Sequence, residues 1–116
     1  MSFDVISALC SWLPGRVGAP CSSTVPASPP DEFVTVERTG GAYSLGRDEP
    51  NLAVQCWAAD EAEAYVLALA AREALLLCWQ EIPEVCRAEV GSIYSFPDPD
   101  TRRWRYQLDV YLVTRP

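Results

Sequence analysis

The chain has no histidine and no lysine anywhere in its 116 residues. Without an imidazole, the usual acid and base at neutral pH, the Ser/His/Asp and Cys/His pairs and most zinc sites are excluded, leaving Asp, Glu or Tyr for any catalysis. Every cation is an arginine, and the nine of them face sixteen carboxylates for a net charge of -7, which argues against general nucleic-acid affinity through phosphate neutralisation. The five cysteines, Cys10, Cys21, Cys56, Cys78 and Cys86, include no Cys-x-x-Cys pair and are odd in number, so they form neither a disulfide framework nor a metal knuckle. Cys10, Cys56, Cys78 and Cys86 sit in apolar runs and read as reduced, buried, structural thiols, which suits the cytoplasm. Met-Ser-Phe-Asp at the start has no basic n-region and does not read as a secretory signal. No apolar run is long and uncharged enough to span a membrane.

What is present is enough for one core. Hydrophobic residues make up 49% of the chain and charged residues 22%, so residues 1–116 are read as a single domain. Phe3, Ile6, Leu9 or Cys10, and Leu13 recur at helical spacing, with Ser2 as the expected N-cap and Pro14-Gly15 as the stop. Residues 14–32 carry Pro20, Pro26, Pro29 and Pro30 and read as a connector with room for a short strand. Phe33-Val-Thr-Val-Glu-Arg38 alternates as a strand. Residues 39–50, with Gly40, Gly41, Gly46 and Pro50, read as a long loop. A second strand follows over 51–58, with Leu52, Val54 and Cys56 on one face.

Asp60, Glu61 and Glu63 complement the positive end of the longest helix. From Ala64 to Trp79 its only charges are Arg72 and Glu73, so the helix is apolar nearly all round and needs cover on a second side. Either a neighbouring subunit or the first helix supplies that cover. Val85 to Phe96 reads as a strand bent at Gly91. After the Pro97-Asp-Pro-Asp-Thr101 turn, Trp104, Tyr106, Leu108, Val110 and Leu112 share one face of a final strand. Its length predicts a far end, around Tyr111, that projects beyond the core to meet another subunit. The order α-β-β-α-β-β predicts an α+β fold, an antiparallel four-stranded sheet with two helices on one face.

No catalytic, cofactor or metal site emerges, and the chain is read as a non-enzyme. Asp98 and Asp100 belong to turn chemistry, the carboxylates at 60–63 to a helix start, and Gly40-Gly41 with Gly46 lacks a phosphate-loop lysine. Arg102, Arg103 and Arg105 interleave with Trp104 and Tyr106. The alternation sends the aromatics to the opposite face, so Arg103 and Arg105 read as a protein-protein rim, as a solvated strand end or, least of all, as a single-strand nucleic-acid site.

Val25-Pro26, Pro29 and Phe33-Val-Thr-Val-Glu-Arg-Thr-Gly-Gly41, then Asp48 to Ala58, the Ala-rich helix after Asp60, and Pro97 to Val113 together resemble the tail terminator family of long-tailed, non-contractile bacteriophages. That resemblance implies a homohexameric ring in the neck of the virion, assembled in the host cytoplasm. The ring would cap the major tail tube protein, stop tube polymerisation and dock the head-completion protein, while DNA passes through the lumen without specific binding. It implies a contact surface over 39–47, including Thr39, Gly40, Gly41, Tyr43 and Arg47. A head-side stopper or connector of the same neck, and a small ferredoxin-like domain with a ligand pocket between sheet and helices, are the alternatives.

Overall fold

Asp4 opens the first helix, α1 (Val5–Val17), its carboxylate accepting the Ser7 N–H at 3.1 Å. Ser2, the cap expected from the sequence, falls outside the residues that this computed structural model describes, 3–101 and 103–116. Pro14 does not stop the helix as expected. Placed in the last turn it removes only one backbone donor, and the helix closes at Gly18, whose left-handed φ of 75° lets its N–H reach the Pro14 carbonyl at 3.0 Å.

The chain continues through β1 (Cys21–Ser22), β2 (Phe33–Ser44), β3 (Arg47–Ala58), α2 (Glu61–Cys78), a 3-10 turn at Trp79–Glu81, β4 (Val85–Ser95) and β5 (Trp104–Thr114). These strands form one five-stranded sheet in the order β1-β2-β3-β5-β4, so the expected antiparallel four-stranded sheet is overturned. The fifth strand lies in the Pro-rich connector, where Cys21 and Ser22 pair parallel with Val34 and Thr35 and the Val34 N–H reaches the Pro20 carbonyl at 2.8 Å. A strand of two residues carries no alternation, and only its neighbour's free edge defines it.

A second correction concerns residues 39–50. They are the outer half of a β2-β3 hairpin, paired from Phe33↔Trp57 to Ser44↔Arg47, and the turn is only Leu45-Gly46 with Gly46 at φ 82°. A bulge between Arg38 and Gly40 reverses which residues of β2 face inward. Gly41 makes the pairing possible. At φ 112°, a Cβ there would stand 2.1 Å from the Glu49 carbonyl oxygen and 2.9 Å from the Pro50 Cα.

The core lies between the helices and one sheet face. Val34, Val36, Leu52, Val54, Leu108, Val110 and Leu112 pack against Leu9 and Leu13 of α1 and Leu67, Ala68, Ala71 and Leu75 of α2. Asp60 caps α2 by accepting the Glu63 N–H at 2.8 Å, and small Ala64, Ala68 and Ala71 on the buried side let the helix approach the sheet closely. Trp12 and Arg16 of α1 both engage Glu81, the indole N–H at 2.8 Å, which ties α1 to the turn after α2. The end of β5 does not overhang: Leu112 and Thr114 are buried between β3 and β4. The bend expected at Gly91 is a register shift between Val90 and Ile93. Cys56 is buried and Cys10, Cys21 and Cys78 are half-buried, but Cys86, expected inside, is exposed on β4.

Candidate assembly surfaces

Each sheet strand sends alternate side chains to the face away from the helices, and β3 and β5 place Trp57 opposite Arg105 there. Phe33 stacks on Trp57 with centroids 5.3 Å apart and planes 9° from parallel. The Arg105 guanidinium lies 4.7 Å from the Trp57 ring and 4.1 Å from Phe96, and its Nε donates to the Phe96 carbonyl at 2.7 Å. Arg103 sits 5.7 Å from the Phe33 centroid and donates to the Pro30 carbonyl at 3.0 Å. Both arginines, read from the sequence as a contact rim, are engaged within the chain itself, roofing Phe33 and Trp57 that would otherwise face water. Arg102 falls outside the described residues.

One row further along, Thr35 donates to Gln55 at 2.9 Å, Gln55 to Gln107 at 3.0 Å and Gln107 to the Tyr94 hydroxyl at 2.6 Å. The Trp57 indole N–H joins this ladder at Thr35 Oγ1, 3.0 Å away. Burial and the Asp109 carboxylate push the Tyr94 hydroxyl above its ordinary pKa, so it stays a donor and acceptor across the physiological range. Such a ladder specifies strand register on a face with no apolar core above it.

The hairpin end is a different surface. The molecule measures 42 × 25 × 24 Å, and the outer hairpin leaves Tyr43 at 65% and Leu45 at 97% exposure. Arg38 and Asp48 brace its base through a bidentate pair of 2.6 and 2.9 Å, which holds the Asp48 carboxyl below its ordinary pKa. Beneath Tyr43, a cleft of about 310 Å³ runs between the tip and the chain ends, lined by Phe3, Leu45, Arg47, Thr114 and Arg115. Thr39 donates to the Asn51 carbonyl at 3.2 Å within the bulge, and Gly40 and Gly41 are consumed by the bulge and the close approach described above. Tyr43 and Arg47 are therefore the members of the expected contact set that reach outward with side chains. Tyr111, half-exposed, leans over Gly91 beside a shallow hollow of about 170 Å³ that Arg47, Glu49, Arg87 and Glu89 share.

α2 supplies a third surface. The first helix does cover it on one side, yet Val66 remains 64% and Leu77 72% exposed, with Tyr65 and Leu76 beside them. The sequence signalled the helix as apolar all round but not which residues would stay uncovered, because that depends on where α1 packs. Leu45 carried no signal beyond its place between two turn-forming residues. At the N-terminal end of α2 the carboxylates crowd: Asp60, with burial and then Glu32 and Asp31, pushes Glu63 above its ordinary pKa. Among the described residues no three His, Cys, Asp or Glu side chains converge as a metal site would require, and no helix is long and apolar enough to cross a membrane. The clefts described above lie at the hairpin end and on the outer sheet face.

No family model matches the chain, and no curated protein matches it by sequence. Among solved structures it is similar to a chain of the virion of a native gene transfer agent particle, at 13% identity and a TM-score of 0.64, over 91% of this chain and 86% of that one. Nearly the whole fold, rather than a fragment of it, is thus shared with a protein built into a virion.

Proposed function

We propose that this protein is a structural subunit of a phage-like virion, acting as a tail terminator: a ring that caps the tail tube, halts its polymerisation and offers a docking face to the neck. The observation that carries the reading is the set of large apolar side chains that α2 leaves exposed, Tyr65 and Val66 in its first half and Leu76 and Leu77 in its last turn, on a helix whose opposite face is buried. Such side chains are surplus in a monomer and are used up when a second subunit covers them. The fold shared with a gene transfer agent virion chain and the sequence resemblance to tail terminators both support it.

In this reading the exposed side of α2 is the contact between subunits and the hairpin tip, with Tyr43, Leu45 and Arg47, reaches the tube. The net charge of -7 suits a lumen that passes DNA without holding it. Purified protein mixed with its tail tube protein should give closed rings and capped tubes in negative-stain images. A protein that stays monomeric at high concentration with tube protein present, and leaves tube growth unchecked, refutes the assignment. Rings that form alone but bind a head-side partner and ignore the tube assign it instead to the head-completion position.

A further inference from the structure

Cys10 on α1 and Cys21 on β1 stand with their sulfurs 3.6 Å apart, one on each side of the junction where the first helix turns back onto the sheet. Both are half-buried, both lie in regular structure, and the segment between them is fixed at Gly18 by the helix closure and at Pro20 by its bond to Val34. Two thiols so held meet far more often than they meet thiols of another chain. A disulfide needs the sulfurs to close to about 2.05 Å, a movement of roughly 1.5 Å that side-chain rotation absorbs without moving the backbone far.

We propose that Cys10 and Cys21 are a disulfide-forming site, which closes when the folded chain meets a low-molecular-weight disulfide such as oxidised glutathione. The exchange balances in two steps. The thiolate of one of the two cysteines attacks one sulfur of the reagent, giving a mixed disulfide and one glutathione thiolate. The thiolate of the other then attacks the protein sulfur of that mixed disulfide, forming the internal bond and releasing the second glutathione. Two protein thiols are oxidised and one reagent disulfide is reduced to two thiols. Burial, and then its neighbour Cys10, push the Cys21 thiol far above its ordinary pKa, so closure is faster as pH rises.

The bond would clamp α1 to the sheet edge across a short span of chain. The inference does not rest on the tail terminator reading, although a virion protein that leaves a reducing cytoplasm for an oxidising medium would pass through the conditions that close it.

The sequence makes the test simple, because Arg16 lies between the two cysteines and no lysine adds other tryptic sites. The folded full chain is incubated with oxidised glutathione, acid-quenched and digested without reductant. The peptide ending at Arg16 should be joined to the peptide Val17–Arg38, and the thiols reactive in denaturant should fall by two from the five present. The thermal midpoint should rise by roughly 10 °C. Cys10→Ser and, separately, Cys21→Ser should each abolish the link, whereas Cys86→Ser should leave it intact. A glutathione adduct that persists on Cys10 or Cys21 beside a free partner thiol, or a link through Cys86 between two chains in place of the internal one, overturns the proposal.

Discussion

Arg105 and Trp57 lie opposite each other on neighbouring strands, the guanidinium 4.7 Å from the indole ring, on the sheet face that no helix covers. The arginine does there what an apolar side chain does in a core: with Arg103 beside it, it keeps Trp57 and Phe33 at 2% and 1% exposure. Replacing it by alanine should destabilise the fold by about 1–2 kcal/mol, through lost ring contact and newly wetted aromatic surface. Arg105→Lys should recover only part of this, since an ammonium keeps the charge but not the flat stacking surface. Urea unfolding of the three proteins measures it. Equal stability of wild type and Arg105→Ala would mean that the stack does not shield Trp57.

Gly41 and Gly15 should respond in opposite directions to alanine. At Gly41 the added methyl meets the Glu49 carbonyl oxygen at 2.1 Å on a backbone with φ 112°, so loss of about 2 kcal/mol or more is expected, with the hairpin amides exchanging faster. At Gly15, in the last turns of α1, nothing lies within 4 Å, and alanine should stabilise by about 0.5–1 kcal/mol through helix propensity. Chemical denaturation and amide exchange separate the two effects.

Asp48 ties part of the stability to pH. Its carboxyl is depressed in the folded state by the hydrogen bonds from Arg38, so the pair contributes fully at neutral pH and is lost as pH falls below about 4, through the unfolded carboxylate value to the folded one. Asp48→Asn should therefore lower stability by about 1 kcal/mol at neutral pH and by much less in strong acid. An undiminished difference between the two proteins in acid would assign the effect to something other than the ion pair.

The exposed side of α2 separates assembly from folding. Val66→Glu and Leu77→Glu change side chains that are mostly solvent-exposed in one chain, so each should shift monomer stability by no more than about 0.5 kcal/mol. Each should nonetheless abolish rings, because the new carboxylate joins Glu73 on the same helix face and loses its hydration without a partner where the subunits meet. Sedimentation velocity beside a thermal melt distinguishes the two. Intact oligomers in both variants would move the subunit contact to another face.

Local chemistry was legible in the chain itself. The alternation from Trp104 to Leu112 sorted the core-facing residues of β5 from the outward ones, Asp60 marked the start of α2, and Gly91 marked the break in β4, because each depends on neighbours a few residues away. The absence of histidine and lysine limits the chemistry available by composition alone. Residues 39–50 misled, since glycine and proline normally end strands. Only the pairing of Gly41 with Pro50, where the absent Cβ leaves room for the Glu49 carbonyl, shows that they extend one. The two-residue β1, the arginines spent on Phe33 and Trp57, and the sulfur contact of Cys10 with Cys21 were decided by tertiary structure alone. Each joins segments at least eleven residues apart, whose approach depends on how the whole core packs.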